Sequence, residues 1–230
     1  MNSLTPKEII RLLAAQYGAV PQRPRRDPLD ELVLGVLSQN TSDANSGRAF
    51  ARLKDAFADW QAVLAADRQQ VEEAIRPGGL APTKAARIQA MLAEILARRG
   101  SFDLSFLIDV PLEEAKSWLR SLPGVGPKTA AVVLLFSLGR PAFPVDTHVH
   151  RVLRRLGLAP AKASAVQAQE MVEPRLAPED VYPFHMYLIT HGRRTCLARR
   201  PRCPECDLRH QCPSATSFYP SLGASTGARN

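Results

Sequence analysis

The chain has 230 residues, 45% of them hydrophobic, and carries 30 Lys and Arg against 22 Asp and Glu for a formal charge of +8. That length supports one large or two small domains with a real core, and the charge suits a polyanionic partner. No segment reaches the roughly 18 apolar residues of a membrane helix, and MNSLTPKEIIRLLAAQYG has no apolar run ending in a small-residue cleavage site, so a soluble, intracellular protein is expected.

Thr5-Pro6-Lys7-Glu8 reads as a capping box with proline at the first helical position, and Gly18 supplies the stop of a first helix. Asp27-Pro28 opens a second, DELVLGVLSQN, whose apolar residues run almost all round the helix and so predict burial. Further helical patterns follow at about 43–57, 61–75, 84–99, 112–121, 128–139, 147–157, 163–173 and 180–191. Strand alternation is nowhere persuasive, and the fold class is all-α. Beyond Cys212, residues 213–230 are rich in Ser, Gly, Ala and Thr and are expected to form a flexible tail.

Between two of these helices stands LPGVGPKTA, residues 122–130. A short glycine turn exposes the unpaired N–H groups at the start of the second helix. Gly124 and Gly126 can take positive φ and, lacking Cβ, let an anion approach the backbone, where the helix dipole favours it. A phosphate cradle and an ordinary helical hairpin are both open at this point. Lys128 sits near the positive end of that dipole, an environment that disfavours an ammonium. A neutral amine is what nucleophilic attack and Schiff-base chemistry require, although a lysine there can also simply contact phosphate.

Asp146, in PAFPVDTHV, offers Lys128 a partner. A helix from Lys128 to Gly139 climbs about 16 Å, and the next seven residues can span about 23 Å, so the proline-rich return can bring Asp146 back beside Lys128. Asp146 is also a preferred N-cap for THVHRVLRRLG, and a helix N-terminus favours its ionised form. Neutral amine beside charged acid is a division of labour found at acid/base sites.

All four cysteines lie between 196 and 212, spaced C-x6-C-x2-C-x5-C. Metal or cluster ligation is favoured over a disulfide framework, and the spacing leaves zinc and iron–sulfur both open.

Taken together, VLSQNTSD (36–43), GGLAPTKAARI (78–88), LPGVGPKTAAVVL (122–134), VDTHVHRVLRRLG (145–157) and HGRRTC with the three cysteines after it closely resemble endonuclease III, over roughly residues 5–212. These are helix-hairpin-helix DNA glycosylases with lyase activity. The resemblance implies a helical barrel domain at 22–140 holding the hairpin, and a cluster domain formed by 1–21 and 141–212, with the active site in the cleft between them. It decides for a 4Fe-4S cluster on Cys196, Cys203, Cys206 and Cys212, and assigns the catalytic roles to Lys128 and Asp146. DNA contacts are implied for Gly124, Val125, Gly126, Lys128 and Thr129, for Arg199 and Arg200 on the cysteine loop, and for Asn40 and Leu80 at the tips of two intercalating loops. His148 is expected to support the site from behind. Two departures stand out: Asn40 replaces a longer glutamine, and Ala81-Pro82 replaces Tyr-Asn. The stretch between about 98 and 118 is also longer than in compact members.

The implied function is base-excision repair of oxidised pyrimidines in double-stranded DNA: glycosylase action followed by β-elimination through a lysine Schiff base. Damaged pyrimidines and abasic sites in duplex DNA are the expected partners of a monomeric, nucleoid-associated enzyme with no membrane role. Two rival readings are an adenine-mismatch-type monofunctional glycosylase, which does not depend on a lysine at the hairpin, and a DNA-binding module without activity.

Overall fold

The computed structural model describes residues 4–22 and 25–220, and every regular element among the described residues is helical. The chain forms two compact units, residues 24–140 and residues 1–23 with 141–230.

In the unit 24–140 the central helix is α2 (Pro28–Leu37), started by the Asp27 carboxylate, which accepts from the N–H groups of Leu29 and Asp30. Leu29, Leu32, Val33, Val36 and Leu37 are each 1% exposed or less, so its apolar residues cover all sides, as the pattern implied. Around it pack α3 (Asp43–Ala56), α6 (Ala81–Arg99) and α8 (Pro127–Val132). The stretch expected as one helix at 61–75 is two, α4 (Trp60–Ala65) and α5 (Arg68–Ile75), because Ala66 turns extended and Asp67 restarts the chain. After α7 (Leu112–Arg120), α8 runs directly into a π-type turn, Val133–Ser137, in which the Leu138 N–H reaches the Val133 carbonyl at 3.2 Å.

The long connection between α6 and α7 is ordered. Gly100, left-handed at φ 68°, ends α6. The Asp103 carboxylate accepts from the Ser105 N–H at 2.8 Å, Phe106 meets Trp118 edge-on with centroids 5.1 Å apart, and Arg140 donates to the Leu107 carbonyl at 2.7 Å.

In the other unit, α1 (Pro6–Tyr17) carries the expected capping box and packs against α11 (Val181–Arg194). Beside α11 lies α9 (Thr147–Arg155), with α10 (Ala165–Val172) on its flank. Within the stretch read as tail, Ala215–Phe218 forms a short helix, α12, with Ala215 buried and the Phe218 ring 4.6 Å from the Arg155 guanidinium carbon, contacts that composition could not reveal. Residues 221–230 of that expected tail lie outside the described residues.

One close approach fixes the place of α8. A Cβ on Gly35 of α2 would stand 2.5 Å from Thr129 Cγ2, so glycine is what lets the two helices touch. Gly35→Ala is expected to cost about 1–3 kcal/mol by overpacking, seen as a melting temperature several degrees lower; an unchanged one would show that Thr129 simply rotates away.

Candidate active site

The hairpin is built as its sequence demands, with one difference. Gly124 is left-handed at φ 79°, whereas Gly126 is extended at φ −96° and caps α8. Gly126 therefore needs no special dihedral. A Cβ added there would meet nothing within 4 Å, so the bare backbone faces open space beside the first amides of α8. Val125 is buried and anchors the turn, and Pro127 fills the first helical position, where a missing N–H is harmless. Lys128, next in the first turn, is exposed, while the Thr129 side chain is buried against Gly35, leaving its amide as the group available to an anion.

Two residues that sequence reasoning missed brace the hairpin. Gln39 donates from Nε2 to the Gly124 carbonyl at 2.9 Å and accepts from Arg87 at 2.8 Å, while the Arg87 stem fills the space where a Gly124 Cβ would go. The turn before α3 and the hairpin are thus one hydrogen-bonded assembly. Sequence held a weak signal for this, a glutamine one residue before Asn40.

Asn40 and Leu80 are exposed, and each adopts a left-handed backbone, φ 53° and φ 52°. Asn tolerates that region; leucine pays for it, by about 1–2 kcal/mol. Leu80 is also 57% exposed, so it forfeits burial as well as backbone comfort. Among the described residues the other non-glycine residue with positive φ is Arg200, at φ 52°. Arg199 and Arg200 are both exposed on the loop that follows Cys196.

Asp146 belongs to the second unit, at the end of a strap held by Phe143, which is fully buried against Phe184 and His185. The Phe143 N–H donates to Glu173 at 2.7 Å, and the His185 ring bonds the Pro144 carbonyl at 2.9 Å. Asp146 Oδ1 accepts from the Val149 N–H at 2.7 Å, the cap its sequence predicted. Two residues on, His148 Nδ1 accepts from Arg151 at 3.2 Å.

Cys196, Cys203, Cys206 and Cys212 line one cavity, walled by Val152, Leu156, Ala215 and Phe218. Among the described residues no three His, Cys, Asp or Glu side chains converge closely enough to hold a single metal ion. The donor set itself is all sulfur, the chemistry of soft metal centres and iron–sulfur clusters. Burial pushes the Cys206 thiol up to about 12 and raises Cys212 and Cys203, with neighbouring thiols adding to the effect. A bound cation would reverse that preference. Sequence reasoning also missed the arginines behind the loop. Arg151 donates to the carbonyls of Cys196 and Gly192; Arg155 donates to Cys196 Sγ at 3.3 Å and to the Leu197 and Ala198 carbonyls, with the Phe218 ring 4.6 Å from its guanidinium carbon. His191 bonds Tyr17 at 2.8 Å and lies 3.6 Å from Cys206 Sγ; burial, with Arg151 nearby, holds its pKa down to about 4 and keeps it neutral. Arginines four apart on one helix face were the available signal.

The family model described as HhH-GPD superfamily base excision DNA repair protein matches residues 33–178. The chain belongs to this superfamily. Among HhH-GPD relatives, endonuclease III of Treponema pallidum is 39% identical over 218 residues, 92% of this chain and 98% of its own length. An Arabidopsis thaliana protein named for DNA glycosylase activity is 42% identical over 165 residues, 72% of this chain; the chain spans 56% of its length. A solved endonuclease III trapped as a covalent intermediate with DNA superposes with a TM-score of 0.78 at 30% identity, over 93% of this chain and 98% of that one.

The open space at Gly126 leaves room for an anion against the bare backbone. Gly126→Ala is expected to cost less than about 1 kcal/mol in stability, an N-cap change without a clash, yet to weaken duplex binding in a titration about tenfold. Equal affinity for both proteins would move the phosphate elsewhere.

Proposed function

We propose that this protein is a base-excision DNA glycosylase and AP lyase for oxidised pyrimidines in duplex DNA, with Lys128 as nucleophile and Asp146 as its acid/base partner. The observation that carries the proposal is Lys128 itself: an exposed amine in the first turn of a helix whose glycine hairpin can seat the backbone phosphate. The trapped endonuclease III–DNA intermediate, a structural neighbour over nearly the whole chain, supports a covalent route.

A base within a duplex cannot be attacked at its sugar, so the nucleotide has to be extruded at a cost of a few kcal/mol. Exposed Leu80 and Asn40 fill the vacated space. The Lys128 amine then attacks C1′ and the damaged base leaves with the glycosidic electron pair. Opening of the sugar ring gives the Schiff base. Loss of a C2′ proton expels the 3′ phosphate and cuts the strand. Asp146, held at the start of α9, receives the lysine proton and stabilises positive charge building on the sugar. His148, tied through Arg151 to the cysteine loop, keeps the start of α9 in place.

The four thiols are proposed to hold a 4Fe-4S cluster, which when bound would tie together the loop from Cys196 to Cys212, leaving its exposed Arg199 and Arg200 to meet the DNA backbone. Arg155 and Arg151 hold that loop from behind by its carbonyls, and the Phe218 ring lies against the Arg155 guanidinium.

Borohydride trapping on a duplex containing thymine glycol is expected to give a covalent adduct with the native protein and none with Lys128→Ala. An adduct that survives the substitution would move the nucleophile elsewhere; none on this lesion or on an abasic site, despite tight binding, would favour a monofunctional glycosylase or a binding module. Purified protein is expected to contain iron and acid-labile sulfide in equal amounts and to lose both in Cys206→Ser; stoichiometric zinc in their place would replace the cluster with a zinc site.

A further inference from the structure

Lys84 lies in the GGLAPTKAARI stretch, yet no step of the proposed reaction uses it. It is 1% exposed and is among the largest fully buried side chains of the protein. Its Nζ donates to the carbonyl of Leu37 at 2.7 Å and to that of Gly78 at 2.7 Å. Buried so deeply and bound to two carbonyls, it has no path to a sugar and is not a second nucleophile.

The identity of the two acceptors is informative. Leu37 is the last residue of α2, immediately before the turn that carries Asn40. Gly78 ends the 3-10 turn Arg76–Gly78, immediately before Gly79 and Leu80. One ammonium therefore joins the roots of both loops whose tips hold a non-glycine residue in the left-handed region. Lys84 also grips Leu80 through the main chain, its N–H donating to the Leu80 carbonyl at 3.0 Å to close the first turn of α6. A Cβ on Gly78 would lie 3.1 Å from that of Ala49, so the Gly78 segment is seated against α3 and has little room to shift. A buried lysine carries a large desolvation cost, and hydrophobic residues of similar volume would pack the same space without it. What they would not do is fix two carbonyls from different loops to a common point.

We propose that Lys84 is a positioning residue for the DNA wedge: its ammonium sets the separation and aim of the Asn40 and Leu80 loops so that both enter the duplex together when a nucleotide is extruded. The inference rests on the functional reading above and adds to it a residue that touches neither substrate nor cofactor.

The test is a double-mutant cycle of Lys84→Met, which keeps the apolar stem and removes the donors, with Leu80→Ala. The full-length protein is assayed on a thymine glycol duplex carrying 2-aminopurine beside the lesion. Three quantities are read: the 2-aminopurine amplitude on binding, the single-turnover excision rate, and affinity for undamaged duplex. Lys84→Met is expected to cut amplitude and rate roughly tenfold, the scale of losing hydrogen bonds to a charged donor, while undamaged-duplex affinity stays within about twofold because phosphate contacts set it. In the Leu80→Ala background the same substitution is expected to change the rate by less than about twofold, since the two act as one unit. An additive further loss, or full amplitude in Lys84→Met, would overturn the proposal. Should Lys84→Met not fold, Lys84→Gln, which retains an N–H donor on a shorter stem, is read in the same way with intermediate losses expected. An inactive native protein would overturn the functional reading and take this proposal with it; full activity in Leu80→Ala, or an active native protein that needs Leu80 but shows additivity, would overturn this proposal alone.

Discussion

A helix buried on every side has no free end, and α2 obliges the rest of its unit to complete it. Its N-terminal amides are satisfied by Asp27, and its last carbonyl, on Leu37, is taken by Lys84. Burial pulls the pKa of that lysine below its ordinary value, so the bond is made at a real desolvation cost. Within this unit, much of what meets DNA in the proposed reaction depends on this helix. Gly35 admits α8 and so places Lys128, the C-terminus of α2 leads into Asn40, and Gln39 ties that turn to the hairpin. The core and the site are one packing problem in this unit.

The second unit is organised around the backbone of the cysteine loop. Arg151 and Arg155 reach it from one face of α9, and their donors are spent largely on carbonyls. The result is a loop whose main chain is fixed by arginine and whose thiols are left to face a shared cavity. Since Asp146 caps that same helix, the start of α9 serves the proposed chemistry while its middle and end serve the cysteines. Tyr17 of α1, bonded to both His191 and Thr195, binds the N-terminal helix into the same assembly.

Much of this was legible in the sequence because it is local. Caps at Thr5, Asp27 and Asp146, the glycine hairpin and the all-round apolar pattern of α2 depend on neighbours within a turn or two. The break at Ala66 was hidden by good helix formers on both sides, and the π-type turn by an apolar run with no breaker inside it. Lys84, Arg151 and Arg155 escaped for a different reason. A charged residue on a helix reads as solvated surface unless its acceptors are known, and each of these has one 47, 45 or 41 residues away in the chain. The short helix α12 was missed because composition describes what a segment does alone, whereas Phe218 is held by an arginine from α9.

The left-handed backbone at Asn40 and Leu80 bears on how quickly DNA can be searched. Both tips present exposed side chains from this conformation, and Lys84 ties their roots to one point. For a protein that examines duplex stepwise, the slow coordinate then lies in bending and unstacking the DNA, which is easiest where damage has already loosened it. A rigid probe of this kind discriminates by the compliance of what it presses against, and spends little time at sites that do not yield.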